Sequence, residues 1–331
     1  MSAAAAGFVR PVRRALPALA DVEAEVRADA RASLQKHARS FRIAARLLDA
    51  SDADDAAVCY ALCREADDLV DEAPSPEAAT AAITTLREEL GGRRTPRPLV
   101  RAFYHMALRR QLPVKAMWTL VDTIALDATD VRIPDDAALI RYAYGVAGTV
   151  GLMMAGLLGA HDPRARSAAI DLGIGMQLTN VARDVTEDAA RGRVYLPADR
   201  LRSRGVTPEA VVAGLAPADA VVGVTGDLVA LAERYYASAL GGLRYLPLRG
   251  RVAVAVAAAL YRAIGHAVVR RGEAALARRT SLGRVGLAVA FVRGLLLLAH
   301  PRVWGPAPAR DTELHLPLAG VTETSGPCPT A

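Results

Sequence analysis

Along almost the whole chain apolar residues recur every three or four positions, and no stretch alternates with the two-residue spacing of a strand. This periodicity predicts an all-α fold. The pattern places helices at about 21–48, 53–73, 76–90, 97–110, 113–128, 135–159, 163–190, 217–243, 250–277 and 282–298. Pro74, Pro76, Gly91, Gly92, Pro113, Pro134, Pro163, Gly192 and Pro197 fall between or at the ends of these runs, where helices start and stop. Hydrophobic residues make up 52% of the chain but aromatics only 5%, so the core has to be built from Ala, Val and Leu, with alanine the strongest helix former.

The 331 residues contain no low-complexity linker, which predicts a single helical domain over residues 21–300. Residues 1–20 are broken by Pro11 and Pro17, lack the apolar run of a secretory signal and read as a flexible tail. Residues 301–331 are Pro-rich and read as a second tail outside the core. The most apolar stretch, Val285 to Ala299, is interrupted by Arg293 and falls short of the ~18 uninterrupted residues of a membrane span, so it reads as a core or membrane-surface helix. Cys59, Cys63 and Cys328 form neither a disulfide framework nor a zinc spacing, which fits a reducing, cytoplasmic compartment. The net charge of +6 is compatible with nucleic acid, a membrane surface or a polyanionic substrate. No nucleic-acid-binding module is present, leaving peripheral membrane contact and a polyanionic substrate as the expected partners.

Two segments carry the chemistry. In Tyr60–Glu72, a rotation of about 100° per residue gathers Tyr60, Arg64, Asp67, Asp68 and Asp71 into an arc of about 100°, opposite Val58, Leu62 and Leu69. In Gln177–Asp188 it gathers Gln177, Asn180, Asp184 and Asp188 into about 80°, away from Leu178, Ala182, Val185 and Ala189. An ordinary solvated helix face mixes charges four residues apart. Here Asp67 is stacked on Asp71, and Asp184 on Asp188, at a cost of a few tenths of a kcal/mol each (roughly), and with a residue poorly suited to helix interiors. A bound cation would offset both penalties. The donors are carboxylate and amide oxygens, without His or Cys, which favours Mg²⁺, with Mn²⁺ or Ca²⁺ as alternatives, over zinc. Arg64 and Arg183 are then placed to clamp phosphate groups.

From His37 to Arg279 the chain resembles the squalene and phytoene synthase family. The resemblance rests on His37-Ala-Arg-Ser40-Phe41, Tyr60-Ala-Leu-Cys-Arg64, Asp67-Asp-Leu-Val-Asp71, the Tyr144–Met154 stretch YGVAGTVGLMM, and the Gln177–Pro197 stretch QLTNVARDVTEDAARGRVYLP. It implies an isoprenoid-synthase-type helical bundle around a central cavity, and a Mg²⁺-dependent head-to-head joining of two prenyl diphosphates through a cyclopropylcarbinyl diphosphate. It also implies Asp67, Asp71, Asp184, Asp188 and Asn180 as metal ligands, with Asp68 beside them, and Tyr60, Arg64, Gln177, Arg183 and Tyr195 as contacts to the diphosphates or the reacting centre. His37, Ser40 and Phe41 would lie beside substrate and Arg278 would close the site, while Ala38 stands where many relatives have serine.

Within the family the stretches Gly-Thr-Val-Gly-Leu-Met-Met and Gly-Arg-Val-Tyr-Leu-Pro are more similar to the phytoene-forming branch, with two C20 (geranylgeranyl) substrates. The chain has no glycine-rich dinucleotide fingerprint, so NADPH is not expected. Other readings are a C15 squalene- or dehydrosqualene-type reaction, a head-to-tail elongating enzyme, and a non-catalytic lipid-binding or partner subunit. A di-iron bundle fails because no glutamate is followed three residues later by histidine. Gly145, Gly148 and Gly151 each cost about 1 kcal/mol inside a helix, which calls for close backbone approach or a kink.

Overall fold

A computed structural model describes residues 19–37, 39–304 and 311–321, and within them every regular element is helical. In chain order the α-helices are α1 (Leu19–His37), α2 (Arg39–Ala45), α3 (Ala50–Asp71), α4 (Pro76–Leu90), α5 (Pro98–Arg110), α6 (Val114–Ile124), α7 (Asp136–Ala143), α8 (Thr149–Leu157) and α9 (Pro163–Arg183). They continue with α10 (Val185–Ala190), α11 (Ala198–Arg202), α12 (Pro208–Val212), α13 (Ala218–Ala239), α14 (Leu248–Arg271), α15 (Ala274–Ala277), α16 (Arg284–Leu297) and α17 (Pro301–Trp304). Helix starts follow the sequence signals: Asp49, Ser75, Asp135 and Asp162 each accept a backbone N–H from the first turn of α3, α4, α7 and α9. Pro76, Pro98 and Pro163 sit in first turns, where a missing N–H costs nothing.

Helix α9 runs through the middle, packed on α8, α13 and α14, while α3 packs against α1, α4 and α5. The core is aliphatic as composition requires: Leu62, Leu86, Leu120, Leu139, Ile170 and Leu178 are among the enclosed side chains, and Phe103, Tyr144 and Tyr235 are the large aromatics among them.

The run expected over 135–159 is not one regular helix. Residues Tyr144–Gly148 form a single π-turn between α7 and α8, with the Thr149 N–H reaching back to the Tyr144 carbonyl. The glycines serve close approach as well. A Cβ on Gly151 would stand 2.1 Å from the Ala169 carbonyl oxygen of α9, and one on Gly173 would stand 2.2 Å from that of Ala147. Both readings of the glycines therefore hold, and the contact they permit seats α9 against the wall made by α8 and the π-turn.

The expected N-terminal tail falls almost wholly outside the described residues. The expected C-terminal tail is partly a docked segment: Val303, Leu314 and Leu318 are buried. Tyr235 Oη donates to the Leu314 carbonyl at 2.7 Å, and Arg234 pairs with Asp311 at 2.7 Å. Proline content there marks an irregular backbone, and the apolar residues between the prolines still have a core to bury against.

Candidate active site

Helix α3 presents the first acidic ladder. Val58 and Leu62 are buried on one side of the helix, and on the other Tyr60, Arg64, Asp67, Asp68 and Asp71 are all part-buried rather than a fully solvated face. Arg64 pairs with Asp68 one turn away, and Arg193 Nη1 donates to Asp71 Oδ1 at 2.6 Å. Burial, reinforced by the neighbouring Asp71 carboxylate, pushes Asp67 up to about 7 against the pull of Arg64. Tyr60 is half-buried, and its phenol is pushed up to about 12, chiefly by burial. The Phe41 ring on α2 lies 6.3 Å from that of Tyr60 and 5.6 Å from that of Tyr261 on α14, forming an aromatic wall beside the ladder. Ser40 adjoins it, part-buried, while the His37 side chain and Ala38 lie outside the described part of the structure.

The second ladder hangs from the end of α9. Asn180 Nδ2 donates to Gln177 Oε1 at 3.2 Å, while Asn180 Oδ1 is buried with no hydrogen-bond partner. The sequence predicts one helix through Asp188, whereas α9 stops at Arg183 and Asp184 sits between helices at φ −104°, ψ 13°. Two arginines hold the Asp184 carboxylate in that break: Arg183 at 2.7 and 2.5 Å, and Arg279 at 2.9 and 3.1 Å. Aspartate tolerates such a position better than a helix interior. The arginine that reaches Asp184 is Arg279; Arg278, the expected closing residue, lies one position earlier at the extended end of α15, and both side chains are exposed. Adjacent residues of an extended segment point to opposite sides, so one residue of offset decides which arginine reaches Asp184. On α10, burial and the nearby Asp184 push Asp188 up to about 7, with Arg191 and Arg193 opposing.

Three residues that the sequence reading does not single out join the ladders. Asp127, in the 3₁₀ turn Ala125–Ala128 after α6, is buried and raised to about 6, mainly by desolvation. Its charge adds to the upward push at both Asp67 and Asp188. Tyr142 on α7 donates to Asp127 Oδ2 at 2.7 Å, and its ring stacks on Tyr195 with centroids 4.9 Å apart. Arg193 ties the loop after α10 to Asp71 of α3. That loop is pinned in turn: the Val194 N–H bonds the Val131 carbonyl, the Ala198 N–H bonds that of Ile133, and Arg132 Nη1 donates to the Gly192 carbonyl. Tyr195 and Asp188 are flanked by Val181, Val185, Leu196 and Val211.

The donor set fits a hard divalent cation. It consists of oxygens only, Asn180 Oδ1 is buried without a partner, and Asp67 and Asp188 are crowded by like charge. With side chains where they stand, no three carboxylate, His or Cys groups among the described residues converge on a single metal position. Asp71 and Asp184 face arginines instead.

Comparison with known proteins follows the same line. The chain matches the squalene/phytoene synthase family over residues 34–285. It is 36% identical over 285 residues to the phytoene synthase of Pseudescherichia vulneris, covering 82% of this chain and 92% of that one. It is 38% identical over 264 residues to the 15-cis-phytoene synthase of Paracoccus sp., covering 76% and 85%. Among solved structures, a dehydrosqualene synthase crystallised with a ligand superposes with a TM-score of 0.75 at 25% identity, over 85% of this chain and 99% of that one. The squalene synthase HpnC of Alicyclobacillus acidocaldarius, at 24% identity and a TM-score of 0.66 over 78% and 97%, shares the fold. The chain is an all-helical prenyltransferase. It belongs to the squalene/phytoene synthase family.

Proposed function

We propose that this enzyme joins two molecules of geranylgeranyl diphosphate head to head to give phytoene, releasing both diphosphates, with Mg²⁺ or Mn²⁺ as the metal. The observation that carries the reading is the meeting of two acidic ladders across Asp127 and Arg193, with arginines at both rims. An acidic site of this kind accepts a polyanion only with cations between them, and Mg²⁺ supplies charge neutralisation of the leaving diphosphate.

The chain's own residues do the rest. Asp67 and Asp71 on α3, with Asn180, Asp184 and Asp188 at the end of α9 and on α10, would hold the metal. Arg183 and Arg279, each bidentate on Asp184, would exchange that carboxylate for phosphate oxygens, and Arg64 would exchange Asp68. The Phe41, Tyr60 and Tyr261 rings offer π faces to the allylic cation left by ionisation. Tyr195, held by its stack on Tyr142, closes the second ladder against water, which would quench that cation. The double bond of the second substrate attacks that cation and a proton is lost as the ring closes, giving the cyclopropylcarbinyl diphosphate; loss of the second diphosphate, rearrangement and a second proton loss follow, without a hydride donor.

The names of the 34–38% identical relatives support the C20 substrate, while the dehydrosqualene synthase neighbour favours a second reading with farnesyl diphosphate. Incubation with Mg²⁺ and geranylgeranyl diphosphate, without NADPH, should yield a C40 hydrocarbon by mass. Absence of hydrocarbon from folded protein that binds Mg²⁺ would favour the non-catalytic subunit. The compartment we assign is the cytoplasm, with the enzyme held peripherally at a membrane.

A further inference from the structure

Helix α16 is seated on the bundle by one side only. Ala290 and Gly294 are buried against α14, where a Cβ on Gly294 would come within 2.6 Å of Val256 Cα, and Leu287 and Phe291 pack on the same apolar cluster, around Val256 and Leu260, as Ile43 of α2 and Leu47 just after it. The opposite side is apolar and open: Val285 is 78% exposed, Leu296 64% and Val292 54%, with Val289 and Leu295 between them. At ~100° per residue these five fall in one stripe about 120° wide, and Arg293 and Arg284 lie on its two flanks. Among the described residues nothing covers the stripe. Singly exposed aliphatic residues are ordinary, but a continuous stripe along three to four turns of helix marks a contact surface.

Charge identifies what it contacts. From Ala274 to Arg310 there is no acidic residue, while Arg278, Arg284, Arg293 and Arg302 are all exposed. At the C-terminal end of α16, Trp304 is 62% exposed, its indole N–H bonded to the Leu298 carbonyl and its ring covered on one face by Arg251 at 4.5 Å. An apolar stripe edged by arginines and ended by a tryptophan suits the boundary between lipid headgroups and acyl chains. At 14 residues, or about 21 Å, α16 is too short to cross a bilayer. The longer apolar helix α14 has 61% of its most apolar window buried in the bundle, as befits a core helix.

We infer that α16 lies flat on an anionic membrane and docks the enzyme there through Val285, Val289, Val292, Leu295 and Leu296, with Arg284 and Arg293 on lipid phosphates. The inference rests on the reaction proposed above, whose product is a hydrocarbon without a polar group. It also links site and surface: α2 carries Phe41 in the aromatic wall and, two residues on, Ile43, which packs on the apolar cluster that seats α16.

The test is co-sedimentation of the full chain with vesicles of phosphatidylglycerol and phosphatidylcholine, or of phosphatidylcholine alone. The wild type should partition to the anionic vesicles, and less so as salt is raised. The triple change Val289→Glu, Val292→Glu, Leu296→Glu should lower partition at least about tenfold, and Arg284→Gln with Arg293→Gln should lower it on anionic vesicles alone. Far-UV helicity and turnover in detergent should match wild type, since none of these residues touches the site. A chain that binds vesicles but makes no hydrocarbon leaves the surface standing and removes the reaction. Failure of the wild type to bind, or triple-variant binding equal to wild type, would overturn the inference. So would conversion of a wild-type dimer to monomer by the triple change with vesicle binding intact, which would assign the stripe to a second copy of the chain.

Discussion

Asp67 and Asp188 both stand near 7, raised by burial and by a neighbouring carboxylate on their own ladder. Between about pH 4 and 7 the folded chain therefore holds protons that the unfolded chain has released, which favours folding at the acid end and is lost as pH rises through 7. Metal-free Asp67→Asn and Asp188→Asn variants should accordingly melt above wild type at pH 8, the gap closing toward pH 5; a gap that is absent or widens toward acid would contradict the crowding. Added Mg²⁺ should raise the wild-type melting temperature more at pH 8 than at pH 5.5, because protons compete for its ligands. Turnover separates these residues from bystanders. Asp67→Ala or Asp184→Ala should lower it by about 10²-fold or more with the helical signal intact, each removing a ligand from a cation that contributes several kcal/mol (roughly) to the transition state. Near-wild-type rates in both purified variants would remove the metal-ladder reading.

At the scale of elements, the glycine contacts set where α9 stands. Gly173→Ala drives a methyl into the Ala147 carbonyl and should destabilise the fold by about 1–3 kcal/mol, seen as a lower midpoint in denaturant, with turnover falling because α9 carries the second ladder. The elements themselves are largely legible in the sequence, since period, caps and prolines act locally. The ladders are legible for the same reason: Asp67 to Asp71 and Asp184 to Asp188 repeat at helical spacing. Asp127, Tyr142 and Arg193 are not, for each is a single residue in a different segment and only packing of α6, α7 and the loop after α10 brings them together. The break at Asp184 goes with four hydrogen bonds to its carboxylate, two from Arg183 and two from Arg279, that local propensity does not encode. The π-turn at Tyr144–Gly148 announces itself only as a cluster of glycines, which fits a kink and a close contact equally.

On the scale of the whole molecule, the segment around His315 closes one end of the bundle. Its ring nitrogen lies 2.6 Å from Asp171, a fully buried carboxylate that also accepts from Ser238 at 2.6 Å, and Leu318 is fully buried beside it. Leu318→Ala should cost about 2–5 kcal/mol, read as a lower denaturation midpoint, and a shift within error would mean the segment only rests on the surface. The length of the two prenyl chains that the enzyme joins is the claim on which the account turns. It is tested most directly by giving the purified enzyme equal concentrations of geranylgeranyl and farnesyl diphosphate with Mg²⁺, without NADPH, and weighing the hydrocarbons formed. The account predicts that C40 product dominates, whereas a predominantly C30 product would contradict it and place the enzyme with the C15-using members of the family.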